Sequence, residues 1–424
     1  MIYFLFLYLL VFAFISYRRL DWAIYLIIIG LPSYLIRFNL FVVPMTALEA
    51  MILMAFFIWV IKNFKPLVSN LKSKIKNLKL NSRNDYSFKW QMILVLVIAT
   101  IAVFISSNQT AAMGIWKAYF IEPIMFYILF VNIIRTKDQI KKVFWALGIG
   151  AFFVSIFGIY QWFTGYGIPN PYWINVDHRI TSFFEYPNAV GLLLAPIAVL
   201  FLGLCASEED KIKKIIYGFL AVLFIVAIVL AKSQGAVAGV FAGAVLIGLW
   251  LKNLRRLTVY FLIFCGLVFF LLPNVRQEIN HQVSFNTSSG QERIALWKAS
   301  ASFLKDNIVF GAGLSAFQEK IKPYKLPQQQ FDYMYPHNFV LNFWVELGLA
   351  GLLVFIWLII DFFRRCAKIL QTEKTLGIIL IGVMAAILIH GLVDVPYFKN
   401  DLAVLWWMFF GVVGAISINT KIKI

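Results

Sequence analysis

Long apolar runs recur along the whole 424-residue chain, and they limit what it can fold into. Each run is about 17 to 25 residues long, the length that a helix needs to cross the ~30 Å hydrocarbon core of a bilayer. The alternation typical of β-barrel strands is absent, so spans must satisfy their own backbone hydrogen bonds as helices. The sequence predicts an all-α, polytopic helical membrane protein with spans near residues 2–16, 22–36, 44–63, 90–106, 113–134, 143–163, 187–205, 215–231, 235–251, 257–273, 339–362, 375–393 and 403–418.

These segments number thirteen, and because the first two are short, twelve spans are the alternative. Hydrophobic residues make up 62% of the chain and charged residues 14%, which excludes an ordinary soluble domain. The chain is predicted to be one membrane domain, residues 1–424. Within it, residues 274–336 are predicted to form a large extracytoplasmic loop that acts as a cap.

The net charge of +18 raises the question of nucleic acid binding, and the positions of the charges answer it. Segments that the predicted spans place on one side of the membrane hold 26 of the 38 Lys and Arg residues. They are 18–21, 62–89, 135–142, 208–214, 252–256, 364–374 and the C-terminal tail. This bias is the positive-inside rule, so the basic excess reflects topology, and no nucleic acid partner is expected. The N-terminus and the large loop are then predicted to face outward.

The large loop has a readable local structure. Ser289 followed by Glu292 predicts a capping box at the start of a helix, and an apolar spacing of three and four residues continues it. Asp306 and Asn307 are suited to end that helix. The tight turn at Gly311-Ala312-Gly313 would expose backbone amides that are suited to an anion.

Histidine and arginine side chains at the outward ends of spans are the candidates for chemistry. His337 stands at the entrance to a span, where an imidazole can accept a proton from a hydroxyl; the alternative is an interfacial histidine bonded to a backbone carbonyl. Arg179 and Arg293 have the guanidinium shape that matches phosphate oxygens. Their alternative is ordinary ion pairing, for instance with Glu185 or Glu292.

Charged residues in or near the predicted spans are sparse and expensive in lipid, so each is a functional hypothesis. Structural pairing is the favoured role for all of them: Glu49, Lys117, Glu122, Glu346, Asp361 and Asp394. The three cysteines lie in or beside spans and are expected to be buried packing residues. No metal-binding cluster, P-loop or nucleophile elbow is present in the sequence.

Several short motifs, taken together and in order, resemble the O-antigen ligase and polymerase family. Two lie upstream, where Glu122-Pro123 falls in a mid-chain span and Arg179 precedes Phe183 and Pro187-Asn188. The rest fall in residues 290–351. They are Arg293 with Trp297, Gly311-Ala312-Gly313 with Phe317, Pro336-His337-Asn338, and Glu346 with Gly348.

The resemblance implies a fold like that of lipid-linked glycan polymerases (GT-C-like) and a membrane glycosyltransferase activity that needs no metal or other cofactor. Glycan would pass from an undecaprenyl-diphosphate carrier to an acceptor hydroxyl on a glycolipid or glycan, with inversion, in lipopolysaccharide or related cell-envelope synthesis. By position, His337 would be the catalytic base, and Arg179 and Arg293 would bind the diphosphate. The supporting residues would be Asn338, Trp297, Glu346 and Asn188.

The motifs leave ligase and polymerase open, with a slight preference for ligase. A transporter of lipid-linked glycans is the alternative from another class, although transporters keep their sites near the bilayer midplane, whereas polar residues here concentrate at the outer surface. A non-catalytic scaffold for envelope assembly fits the His- and Arg-bearing loop poorly.

Overall fold

The computed structural model describes residues 2–40, 43–74, 86–169, 172–173, 178–329 and 332–418. This part of the chain is helical almost throughout, apart from one antiparallel hairpin of β1 (Arg37–Leu40) and β2 (Val43–Thr46). The predicted all-α polytopic fold is confirmed. Residues 75–85 of the predicted basic segment, and the basic C-terminal tail, lie outside the described residues.

The helices are, in chain order, α1 (Ile2–Arg18), α2 (Leu20–Ile29), α3 (Ala47–Lys74), α4 (Lys89–Ile105), α5 (Gln109–Trp116), α6 (Glu122–Ile133), α7 (Lys137–Thr164), α8 (Pro187–Ser207), α9 (Lys211–Leu230), α10 (Gln234–Trp250), α11 (Arg255–Leu271), α12 (Pro273–Val283), α13 (Ser288–Asp306), α14 (Phe317–Lys320), α15 (Phe339–Thr372), α16 (Lys374–Gly391) and α17 (Asn400–Ile418). A π-helical turn, Lys117–Ile121, joins α5 to α6 into one span.

Every predicted span overlaps one of these helices, and the protein is a multi-pass membrane protein. Among the described residues, seven helices are long and apolar enough to cross a bilayer by themselves. They are the joined α5–α6 helix, α7, α8, α9, α15, α16 and α17. The number is eight if α11 is counted together with α12 and α13 as one span. In that case the span is bent by 98° at Pro273, between α11 and α12.

Several predicted spans have different bounds in the structure, and those at 22–36 and 44–63 are the clearest cases. The segment predicted at 22–36 is helical only over α2, because Gly30 ends the helix and Pro32 begins a separate 3-10 turn, Leu31–Leu35. Proline has no backbone N–H and therefore suits the start of a new turn. In contrast, α3 continues to Lys74, well into the segment that the sequence predicts as a loop.

Close helix packing shapes the end of the bundle that carries His337, which is called the outward end because the charge bias of the sequence predicts that it faces outward. A Cβ at Gly239 in α10 would lie only 2.6 Å from the carbonyl oxygen of Ala386 in α16. Small residues let membrane helices approach this closely, and the gain is van der Waals contact. The approach brings the turn before α10 next to the end of α16, where His390 lies against Gly235.

The cap packs against α15 at a kink in that helix. Gly348 has φ 70° and ψ −176°, which breaks the helix within residues Phe339–Thr372. The turn before α14 fills the break: Ala312 N–H donates to the Val345 carbonyl (2.7 Å) and Leu349 N–H donates to the Val309 carbonyl (3.1 Å). Backbone groups that the kink frees are therefore paired, as a buried backbone requires.

We predict that Gly348→Ala destabilises the protein. The backbone at Gly348 lies in a region that non-glycine residues enter at a cost of about 1–3 kcal/mol, and a new Cβ would also collide with the Val309 carbonyl oxygen. The melting temperature of the purified protein in detergent should fall by several degrees, and less folded protein should be recovered from membranes.

Gly266→Ala is the matched control, because a Cβ at this helical glycine has no neighbour within 4 Å. Alanine is better than glycine in a helix interior by about 1 kcal/mol, so this variant should melt at or above the wild-type temperature. Equal melting of the two variants would mean that the kink does not hold the cap.

Candidate functional site

His337 lies at the outward end of α15, in a backbone conformation that is unusual for its type. Its φ is 48°, and Pro336 precedes it. The next residue, Asn338, is the N-cap of α15: its Oδ1 accepts from Leu341 N–H (3.1 Å) and its Nδ2 donates to the Leu392 carbonyl (2.9 Å). Left-handed non-glycine residues persist where the surroundings hold them, and they cluster at functional sites. Asn338 thus joins the start of α15 to the end of α16.

The cap holds the other side of the His337 loop. Trp297 of α13 donates its indole N–H to the Pro336 carbonyl at 3.0 Å. One turn earlier, Glu292 accepts a hydrogen bond from the Tyr333 hydroxyl. The rings of Tyr333 and Tyr335 stand edge-on to the imidazole, with centroids 5.0 and 4.9 Å away. The imidazole is therefore oriented by α13 and by two tyrosines.

Asp394, in the turn between α16 and α17, is the acidic partner of His337. Its Oδ1 lies 3.4 Å from His337 Nδ1 and also accepts the Val395 N–H at 2.9 Å. Burial alone would raise the pKa of Asp394. The hydrogen bond and charge of His337, together with the nearby His390 and the Val395 amide, outweigh burial and hold the pKa below its ordinary value. Asp394 is thus a carboxylate that faces the imidazole.

A hydrogen-bonded chain links this pair to the first predicted arginine. Asn188, in the first turn of α8, donates from Nδ2 to Asp394 Oδ2 at 3.1 Å. Its Oδ1 accepts from Arg179 Nη2, also at 3.1 Å. Arg179 Nε donates in turn to the Ala231 carbonyl in the turn between α9 and α10 (3.1 Å). The chain Arg179–Asn188–Asp394–His337 thus joins residues that are far apart in the sequence.

Arg293 lies on α13, one helical turn before Trp297. Its Nη1 donates to Ser289 Oγ at 2.8 Å, while its Nε is buried without a hydrogen-bond partner in the described part of the chain. Arg293 and Asp394 both act electrostatically on His390, so the second arginine faces the same end of the bundle. No hydrogen bond among the described residues joins it directly to the Arg179–Asn188–Asp394–His337 chain.

Two local predictions for the cap are wrong. The N-cap of α13 is Thr287, whose Oγ1 accepts from Gly290 N–H at 3.0 Å, and Ser289 instead binds Arg293. The backbone amides near the glycine turn are also not exposed. Those of Gly311, Ala312, Leu314 and Ser315 donate to Asn307, Val345, Ala102 and Glu346 respectively, so the turn packs against helices and does not face an anion.

Glu346 therefore has a structural partner, as the sequence favoured: its Oε2 accepts from Ser315 N–H at 2.7 Å, and it helps to fix the cap to α15. The predicted end of α13 at Asp306 is confirmed. Among the cysteines, all of which are free, Cys366 is buried as predicted, while Cys205 and Cys265 are half-buried.

Two features of the site were missed by sequence reasoning. Asp394 was grouped with the structural charges, although its position at the outward end of a span, four residues after His390, was a usable signal. The second is Lys399, whose ammonium lies over the rings of Phe184 and Tyr186 at 4.3 and 5.4 Å and 3.9 Å from the buried Asp401. Tyr186 connects it to the site, since its hydroxyl accepts from Tyr335 at 3.4 Å.

The fold and the site define a multi-pass membrane protein whose polar residues converge at one end of the helix bundle. Residues 219–356 match the family profile described as O-antigen ligase, in agreement with the resemblance inferred from the motifs. The matched segment holds Arg293, Trp297 and His337, whereas Arg179, Asn188 and Asp394 lie outside it. A search of curated proteins finds no match. This match supports a membrane glycosyltransferase of the O-antigen ligase or polymerase type.

We predict that Asn188→Ala weakens the fold at the outward end. It removes the group between Arg179 and Asp394, and a buried polar group that loses its partner costs about 1–3 kcal/mol. Thermal unfolding in detergent should shift down measurably. Asn253→Ala is the control: this exposed asparagine makes one long hydrogen bond (3.4 Å), and its loss should leave the melting temperature unchanged. Identical melting curves for both variants would show that the hydrogen bonds of Asn188 to Arg179 and Asp394 do not stabilise the fold.

Proposed function

We propose that this protein transfers glycan from an undecaprenyl-diphosphate-linked donor to an acceptor hydroxyl at the periplasmic face of the inner membrane. The single observation that carries the proposal is the Arg179–Asn188–Asp394–His337 chain. It joins a guanidinium, which suits a phosphate, to an imidazole, which suits a hydroxyl. The charge bias of the loops supports the periplasmic orientation, because the more basic side of a membrane protein stays in the cytoplasm.

His337 is proposed to be the general base. With Nδ1–H donated to Asp394, Nε2 has the free lone pair, and the side chain is 18% exposed, which leaves it reachable by a substrate. Nε2 takes the proton of the acceptor hydroxyl as the oxygen forms a bond to the anomeric carbon. The bond from that carbon to the diphosphate breaks on the opposite face, so undecaprenyl diphosphate leaves with the electron pair and the configuration inverts.

Asp394 acts through His337. A buried carboxylate on Nδ1–H fixes the tautomer and ring orientation and stabilises the imidazolium that forms, as in the Ser-His-Asp arrangement of hydrolases. Because the pKa of Asp394 is held low, the carboxylate stays charged at neutral pH. Asn188 keeps the second oxygen of Asp394 occupied and aligns it with Arg179.

Arg179 and Arg293 are proposed to neutralise the leaving diphosphate without a metal ion. Negative charge grows on the phosphate as the glycosidic bond breaks, and fixed cations in a partly desolvated site stabilise it most when it is largest. The buried, unpaired Nε of Arg293 supports this role, since a phosphate oxygen is a suitable partner for it. The carrier tail in lipid and the sugar in water also orient the donor.

We predict that His337→Ala lowers transfer by at least about 100-fold, the usual range for loss of a general base. Surface glycans of the native host, separated on a gel, provide the measurement. Absence of glycan attachment would favour the ligase, and products with a single repeat would favour the polymerase. His281→Ala, an exposed histidine at the end of α12, is the control and should leave the glycan pattern unchanged. A normal pattern with His337→Ala would remove this residue from the mechanism.

We predict that Asp394→Asn lowers the rate of transfer by a factor of about 10²–10⁴. The neutral amide neither fixes the Nδ1–H tautomer of His337 nor stabilises the imidazolium. Carrier-dependent transfer in proteoliposomes measures this, with protein level and melting temperature checked in parallel. Asp361→Asn is a matched control, as this carboxylate pairs with Arg365 in the same helix, away from His337. Full activity of Asp394→Asn in a folded protein contradicts the positioning role. Movement of substrate across the bilayer without a transfer product would favour a transporter.

A further inference from the structure

The cap contains a cleft along α13. It is an open cleft of about 480 Å³, within the range of small-molecule sites. Three segments line it: the turn between α12 and α13, the outer face of α13, and residues 326–328. Neither His337 nor either of the two arginines lines this cleft, so it is distinct from the site described above.

The lining has the chemistry that recognises sugars. Asn286, Gln291 and Gln328 supply three side-chain amides, each able to donate and accept, and Lys298 adds a cation. Within the described part of the chain, no hydrogen bond engages these amide groups. The walls between them are apolar, formed by Phe285 with Ile294, Leu326 and Pro327. Amides that bind hydroxyls between apolar surfaces that cover the C–H faces of a ring are suited to an oligosaccharide.

The cleft is joined to the His337 loop by direct contacts. The Phe285 ring packs edge-on against Trp297 with centroids 5.4 Å apart, and Trp297 donates to the Pro336 carbonyl. Phe285 is also held at φ 54°, which is an outlier for a bulky residue and is typical of functional sites. Gly290 makes this turn possible, because a Cβ there would lie 2.7 Å from the Phe285 backbone.

We propose that this cleft is an oligosaccharide-binding subsite for sugar residues remote from the reacting end of a glycan. The proposal rests on the proposed transferase function and extends it, because it separates glycan recognition on the cap from diphosphate binding at the helix ends. A glycan bound in the cleft lies beside α13, the helix that also donates a hydrogen bond to the His337 loop. Donor and acceptor glycans share this chemistry, and the test distinguishes them.

The experiment measures binding of soluble sugars to the full-length protein in detergent, with no lipid carrier present. Two probes are released from host surface glycan by mild acid: the repeat-unit oligosaccharide and the acceptor-side oligosaccharide. Saturation-transfer NMR reports binding, and tryptophan fluorescence, to which Trp297 is one of thirteen contributors, is the second readout. The test variant is Gln291→Ala with Lys298→Ala. The matched control is Gln277→Ala with Lys305→Ala, which removes the same two residue types from exposed positions outside the cleft.

We expect one of the probes to bind wild type and the control equally and to bind the test variant at least about tenfold more weakly. Transfer by the test variant should fall mainly through a higher KM for long glycans, with kcat for a minimal donor unchanged. Absence of binding by both probes, equal binding by the test variant, or binding of an unrelated peptide in their place would overturn the proposal. Because binding is read without a donor lipid, loss of sugar binding and loss of transfer are separate results. A wild-type protein that binds sugar but transfers none refutes the proposed function alone.

Discussion

The kink in α15 is the constraint on which the outward end of this protein depends. Gly348 interrupts the helix, and the freed carbonyl of Val345 and amide of Leu349 must find partners, because unpaired backbone groups are costly in a membrane protein. The turn from Val309 to Ala312 supplies both partners. These two hydrogen bonds fix the cap against α15. They thereby set the distance between the first turn of α15 and α13, which carries Trp297 and Arg293.

With the cap fixed, shared hydrogen bonds determine the geometry of the site. Asp394 is buried, yet its pKa is held below its ordinary value because it faces His337 and His390 and accepts the Val395 amide. Its two oxygens face different partners, so one carboxylate orients an imidazole and, through Asn188, a guanidinium. Interactions of this kind are stronger at a partly desolvated interface than in water, and a lost partner costs correspondingly more. The same few hydrogen bonds to Asp394 therefore fix the geometry of the site and the charge of this carboxylate.

Sequence reasoning reached part of this arrangement. The apolar runs predicted the helices, and the resemblance selected His337, Arg179 and Asn188, which the structure connects. It failed where a residue's partner lies far away in the chain. Asp394 is 57 positions from His337, so its position at the end of a span could mark it as a candidate but could not identify its partner. The amides of the glycine turn were expected to be exposed for the same reason, since those of Ala312 and Leu314 donate to carbonyls of α15 and α4, which are distant in sequence.

The sequence by itself determined the class of the protein and the topology of its charges, because span length and hydropathy are local properties that a bilayer selects directly. It also determined which residue types are available for proton transfer and phosphate binding. Tertiary structure alone decided which of them meet. Contacts across the bundle depend on helix packing, such as the close approach of Gly239 to Ala386, and on the paired kink at Gly348, and neither is encoded in any short stretch of the chain.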